Sequence, residues 1–219
     1  MEKLEKRSLW YSILLLIIII ICTWGFFDIA DNFNSSQIHH FDNVIIGYVQ
    51  GYISAPITTV MLWITFLGST KWVAIITLLM VILLFIMRHK LLSIYLALTV
   101  AIGAGLFNQV LKYIFKRARP DIHRVIQEQG YSFPSGHSMG SMILYGSLAF
   151  ILFKLYKHLW AKILGAVIAL LLIICIGISR IYLGVHYPSD VVGGYSAGAV
   201  WVIISIVAFI FFEKRQNHR

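Results

Sequence analysis

Residues 9–27 contain no charged side chain, and that run of apolar residues constrains the fold more than any other feature of the chain. It is long enough to cross a bilayer, and in hydrocarbon its backbone N–H and C=O groups have no water to bond, so the segment has to be a helix. Five further apolar runs lie at about 72–87, 91–115, 138–153, 159–178 and 191–212, with one long polar loop among them at 116–135. The reading is an all-α polytopic membrane protein with six transmembrane helices. Composition supports it: 59% hydrophobic and 12% charged residues lie outside the balance of a soluble domain. The first run exceeds the apolar core of a signal peptide, and no small-x-small cleavage site follows it, so it is expected to stay as a span. No linker-like tract or internal repeat divides the chain, so residues 1–219 are expected to form one domain.

Two stretches do not fit the six runs. Residues 29–56 place Asp28, Asp31, His39, His40 and Asp42 around Ile38, Phe41, Ile45, Tyr48, Val49 and Tyr52 at helical spacing, which predicts an interfacial amphipathic helix. Residues 57–69 are apolar but too short to span alone, and are expected to be half-buried or re-entrant. His39 and His40 are adjacent and so point apart on a helix, which disfavours a shared metal. Cys22 and Cys175 lie within apolar runs and read as buried thiols.

The net charge of +9 does not point to nucleic acid, because the basic residues sit in short clusters between apolar runs; anionic lipid is the expected partner. Six spans put both termini on one side. Eleven of the eighteen basic residues (Lys3, Lys6, Arg7, Arg88, Lys90, Lys154, Lys157, Lys162, Lys214, Arg215 and Arg219) then share one face, predicted to be cytoplasmic. Six of the other seven crowd around the long polar loop 116–135 and the stretch 179–190. A basic cluster on the face that should be poor in lysine and arginine implies an anion.

Three segments reach that face at span ends. In the first, Lys112, Lys116 and Arg119 are spaced for one helical face, with Pro120 expected to stop the helix. In the second, Pro134-Ser135-Gly136-His137 directly precedes an apolar run. Such a start leaves backbone N–H groups free at a helix N-terminus, and Gly136 lets a ligand approach the main chain. In the third, Ser179-Arg180-Ile-Tyr-Leu-Gly-Val-His186-Tyr-Pro188-Ser-Asp190, Pro188 can open a helix with His186 just outside it and Asp190 in its first turn. A carboxylate there can bond one imidazole nitrogen and leave the other free as nucleophile or base, beside the cationic fork of Arg180.

Taken in order, these segments resemble the three-part signature of the type 2 phosphatidic acid phosphatase superfamily, at residues 112–120, 134–137 and 179–190. The resemblance implies a membrane lipid phosphatase in which Lys112, Arg119 and Arg180, with Ser135 and the Gly136 amide, hold the phosphate oxygens. His186 would attack phosphorus to give a phosphohistidine, Asp190 would orient its ring, and His137 would protonate the leaving oxygen and later activate water. No metal or other cofactor is expected, and the polar loop, with only Asp121 and Glu128 as carboxylates between Lys112 and His137, is poor in magnesium ligands. The implied substrate is a lipid phosphate or diphosphate, with phosphatidylglycerophosphate and undecaprenyl diphosphate ahead of phosphatidic acid. The implied setting is the outer face of a bacterial cytoplasmic membrane. Two alternatives stand beside it. An anion-binding or transport protein needs the basic site but not two histidines, one held by a carboxylate. A vanadium haloperoxidase-like enzyme would share the oxyanion site but not the membrane-embedded layout.

Overall fold

Among residues 2–121 and 124–217, which the computed structural model describes, all regular structure is helical. Helix α1, Glu2–Asn32, carries the first apolar run past its expected end, and Asn32 Nδ2 closes its last turn on the Asp28 carbonyl at 3.0 Å. Residues 29–56 are therefore not one amphipathic helix. They comprise the end of α1, helix α2 (Ser36–Gln50, started by the Ser35 hydroxyl accepting from the Ile38 N–H at 3.3 Å) and the first residues of α3 (Ala55–Leu67).

Helices α2 and α3 meet at a bend of 119°. Gln50 Nε2 donates to the Ile181 carbonyl at 3.2 Å, and the Ser54 N–H to the Tyr182 hydroxyl at 3.1 Å, so the bend is fixed to the last turn of α8 (Leu159–Tyr182). Asp42, earlier in α2, is fixed to the start of α9 (Pro188–Asn217), where the Ser189 N–H donates to Asp42 Oδ1 at 2.8 Å. The α2–α3 pair thus lies across one end of the bundle without crossing it, the re-entrant form expected for residues 57–69.

The long apolar helices are the spans Ile13–Asn32, Lys90–Phe115, Gly136–Leu155, Leu159–Tyr182 and Pro188–Gln216. A shorter apolar helix, α4, Thr70–Ile86, reaches ~26 Å with its 17 residues at 1.5 Å per residue. It starts beside the site, capped by Ser69, and ends where Met87 and His89 face Leu152 and Leu155 at the far end of α7 (Gly136–Leu155).

The span Lys90–Phe115 is not a uniform helix. Helix α5, Lys90–Val100, passes through a π-helical segment, Ala101–Phe107, into α6, Asn108–Phe115. Trp201 of α9 supplies the cause. Its Nε1 donates to the Thr99 carbonyl at 2.9 Å, and its ring packs where a side chain on residue 103 would stand, 2.3 Å from a Cβ. A side-chain donor on a helix carbonyl and a glycine that admits the ring favour the wider turn. Beyond it, α6 directs Asn108 and Lys112 toward the start of α7: a Cβ on Gly136 would lie 3.2 Å from Asn108 Oδ1 and 3.8 Å from Lys112 Cε. Small residues draw α7 and α9 together as well, since a Cβ on Gly194 would stand 2.8 Å from the Ser135 carbonyl oxygen. Met139, Ile143, Leu144 and Ile176 fill the interior between α7, α8 and their neighbours.

Candidate active site

All three signature segments end at the same end of the bundle. Helix α6 stops at Phe115 because Lys116 adopts the left-handed conformation (φ 49°), four residues before Pro120. This corrects the single-face expectation: Lys112 alone is helical, Lys116 is exposed, and the turn sends Arg117 inward and Arg119 to the opposite side of the loop. Lys112 Nζ donates to the Tyr131 carbonyl at 3.1 Å.

Helix α7 begins as expected at Gly136. The Ser135 hydroxyl, assigned above to the phosphate cradle, serves as its N-cap, accepting from the Ser138 N–H at 3.4 Å and the Ser138 hydroxyl at 2.9 Å. The Ser135 N–H donates to the Asp190 carbonyl at 3.0 Å, which ties the start of α7 to the start of α9. Gly136 and His137 remain half-buried, and His137 stands within electrostatic reach of Arg180, Glu128, His186 and Lys112.

Pro188 opens α9 and Asp190 lies in its first turn. Asp190 Oδ2 accepts from the Tyr187 N–H at 2.9 Å and lies 3.4 Å from His186 Nδ1. On the other side of the ring, Arg119 Nη1 is 3.2 Å from His186 Nε2. A guanidinium only donates, so Nε2 holds the lone pair and Nδ1 carries the proton it gives to Asp190. Burial, with Arg180, Arg119 and Lys112 around it, holds the His186 pKa well below 6.5 and keeps the ring neutral. Arg180 is likewise buried. Its Nη1 donates to Thr65 Oγ1 at 2.6 Å and its Nη2 pairs with Glu128, while its Nε has no acceptor among the described residues.

Four residues of this region escaped the sequence reading. Glu128, counted above only as one of two loop carboxylates, pairs with Arg180 and, at 3.0 Å, with Arg119. Its carboxylate occupies the space between the two guanidinium groups. Burial alone would raise its pKa, but Arg180 dominates the surrounding charges and draws it down to about 2. A folded value depressed below the ordinary 4.5 means that the pairing's stabilisation is complete above that value and is lost progressively as pH falls from there to about 2. The others are Asp42, Arg117 and Ser189. Asp42, placed above on the polar face of an interfacial helix, is fully buried against Arg117 at 2.9 Å. The sequence offered one signal: Arg117 is a third cation between Lys112 and Pro120, and it needed a partner once the loop folded inward.

The geometry brings three cations, Lys112, Arg119 and Arg180, around an imidazole held by a carboxylate at one end of a helical bundle. Residues 90–214 match the PAP2 superfamily. Over 152 residues the chain is 38% identical to phosphatidylglycerophosphatase B of Bacillus subtilis, covering 58% of this chain and 72% of the relative. Over 126 residues it is 30% identical to an undecaprenyl-diphosphatase of Sulfolobus acidocaldarius, covering 55% of this chain and 56% of the relative. With several other curated relatives the alignment spans about half of their length or less. The fold is similar to the crystal structure of a transmembrane PAP2-type phosphatidylglycerolphosphate phosphatase from Bacillus subtilis, with a TM-score of 0.81 and 29% identity over 90% of this chain and 96% of that one. The chain belongs to the PAP2 superfamily and is a multi-pass membrane lipid phosphatase.

Proposed function

We propose that the protein, acting as one domain, hydrolyses a lipid phosphate or diphosphate through a phosphohistidine on His186, with phosphatidylglycerophosphate as the first candidate substrate and undecaprenyl diphosphate as the second. One observation carries this reading: the Nε2 lone pair of His186 is aimed at the cationic side of the site, where Arg119 now donates to it, while Asp190 holds the opposite nitrogen.

In the first half-reaction, His186 Nε2 forms a bond to phosphorus as the bond to the lipid oxygen breaks. His137 gives the departing oxygen its proton. The leaving group is an alcohol for a phosphomonoester and a lipid monophosphate for a diphosphate. In the second half-reaction, water attacks phosphorus as His137 takes its proton, the phosphorus–nitrogen bond breaks, and inorganic phosphate departs. Lys112, Arg119 and Arg180, with the Gly136 amide, balance the charge on the transferring group without requiring a metal ion. The orphaned Arg180 Nε supplies a donor for one phosphate oxygen.

A cavity of about 320 Å³ between α4, α5 and the π segment runs from Gly136 along Gly68, Val73, Val81 and Ala97. It suits the hydrocarbon tail, which stays in the bilayer while the headgroup enters the site. The basic clusters at the opposite bundle end support a topology with both termini cytoplasmic and the site outside.

Phosphate release from a panel of purified lipid phosphates in EDTA tests this reading. Turnover of phosphatidylglycerophosphate is expected to persist in the chelator and to be inhibited by orthovanadate; turnover that vanishes and is restored by magnesium would overturn the metal-free mechanism. Because the Glu128 carboxylate stands where phosphate oxygens are expected to bind, Glu128→Gln should bind orthovanadate about tenfold more tightly. An unchanged inhibition constant would mean that the carboxylate does not compete for the cradle.

A further inference from the structure

Behind Asp190, on the side away from the cradle, lies a second group of buried charges. Arg117 Nη1 donates to Asp190 Oδ1 at 2.7 Å and to the Ser189 hydroxyl at 2.7 Å, and its Nη2 donates to Asp42 Oδ2 at 2.9 Å. The Ser189 hydroxyl in turn donates to Asp42 Oδ2 at 2.7 Å, and Asp42 Oδ1 takes the Ser189 N–H. The guanidinium is stacked over the Tyr187 ring, 4.2 Å from its centroid, which fixes its plane. A cation shared by two carboxylates differs from a simple ion pair. The pull that Arg117 exerts on Asp190 depends on how much of its charge Asp42 neutralises.

We infer that Asp42 and Arg117 are positioning residues for the reaction: the buried Asp42–Arg117 pair fixes the orientation of Asp190 and the negative charge that Asp190 presents to His186. The re-entrant α2 thereby belongs to the catalytic unit. This inference rests on His186 as the nucleophile. As Nε2 bonds to phosphorus the ring gains positive charge, and the carboxylate at Nδ1 has to stabilise it. With Asp42 ionised, Arg117 is balanced from behind and Asp190 keeps its charge for the ring. Without Asp42, Arg117 draws on Asp190 alone.

The variant that isolates this effect is Asp42→Asn, which keeps the side-chain volume and an oxygen for the Ser189 N–H while removing one negative charge. Its expected outcome is phosphoenzyme formation about tenfold slower, with the acid limb of the pH profile moved to lower pH. The neutral pair Asp42→Asn/Arg117→Gln removes the opposite charge as well, and should bring the limb back to its wild-type position. The other groups around His186 are Asp190 on α9, Arg180 on α8, Lys112 on α6, His137 on α7, and Arg119 and Glu128 from the loop. His39 and Lys116 line a cavity beside Arg117. All of these are unchanged in both variants and cancel in the comparison.

A folded Asp42→Asn with wild-type rate and profile overturns the inference, as does a slowed variant whose limb stays in place and is not moved by the second substitution. If Asp42→Asn is not recovered folded, Arg117→Lys decides. It keeps the charge but reaches one carboxylate at a time, so a rate about tenfold lower at unchanged orthovanadate affinity supports the pair, and a wild-type rate removes it. Radiolabelled phosphoenzyme trapped from wild type separates the two layers. If its label is absent, or does not depend on His186, the phosphohistidine reading has failed; with it in place, a wild-type Asp42→Asn fails the pair alone.

Discussion

His186→Ala is expected to abolish the acid-labile, base-stable phosphoenzyme and to lower kcat by about 10⁴-fold or more, the scale of removing a nucleophile whose partners act as a unit. The fold should survive, because the ring is held by side chains that remain paired without it: Asp190 keeps Arg117 and the Tyr187 N–H, and Arg119 keeps Glu128 and the Val185 carbonyl. Rapid-quench trapping measures the intermediate directly, and label that persists in the folded variant would remove His186 from the role. The same experiment has a pH dependence of definite sign. Burial and the neighbouring cations lower the His186 pKa, so the ring is neutral on the alkaline side of a depressed value. Single-turnover labelling should therefore hold its rate as pH falls through 6.5 and decline only below it. His137→Ala should slow lipid phosphates far more than an activated aryl phosphate, whose leaving group needs little protonation.

The second large effect is expected at Arg180. Arg180→Lys preserves the charge but cannot reproduce the guanidinium's fixed fork, which reaches Thr65 and Glu128 and leaves a buried Nε with no acceptor among the described residues. Loss of that fork should lower kcat/KM by about 10²–10³-fold and weaken orthovanadate binding in parallel. Circular dichroism and detergent size-exclusion profiles should match wild type. A lysine variant with near-normal kcat/KM would mean that Arg180 serves only to hold Glu128 and Thr65.

The signature residues were legible because their identities carry the chemistry: a histidine four residues before an aspartate, separated by a proline, can hardly avoid placing both at one helix start. The spans were legible because hydrocarbon admits so few backbone structures. Pairings between segments far apart in sequence were not. Asp42 reads as one more polar residue on a helix face until Arg117 and Ser189 are brought to it from 75 and 147 residues away. Ser135 carries a task that its place beside Gly136 did not announce: its hydroxyl oxygen caps α7 by accepting from Ser138, which leaves its O–H free to donate. Lys116 gave no warning of its left-handed turn, which takes Arg119 off the helical face on which simple spacing had put it.

The cavity beside Gly136 is edged by exposed Leu78, Ala101 and Gly105, so it opens on the flank of the bundle and not at its end. On the proposed reading a substrate arrives sideways, within the plane of the lipids, and the enzyme never samples the aqueous concentration of its substrate. What it meets is a mole fraction. Adding inert detergent or neutral lipid at constant bulk substrate would then dilute the reaction in two dimensions and slow it. Enlarging the water volume at constant lipid composition would leave the rate per enzyme untouched.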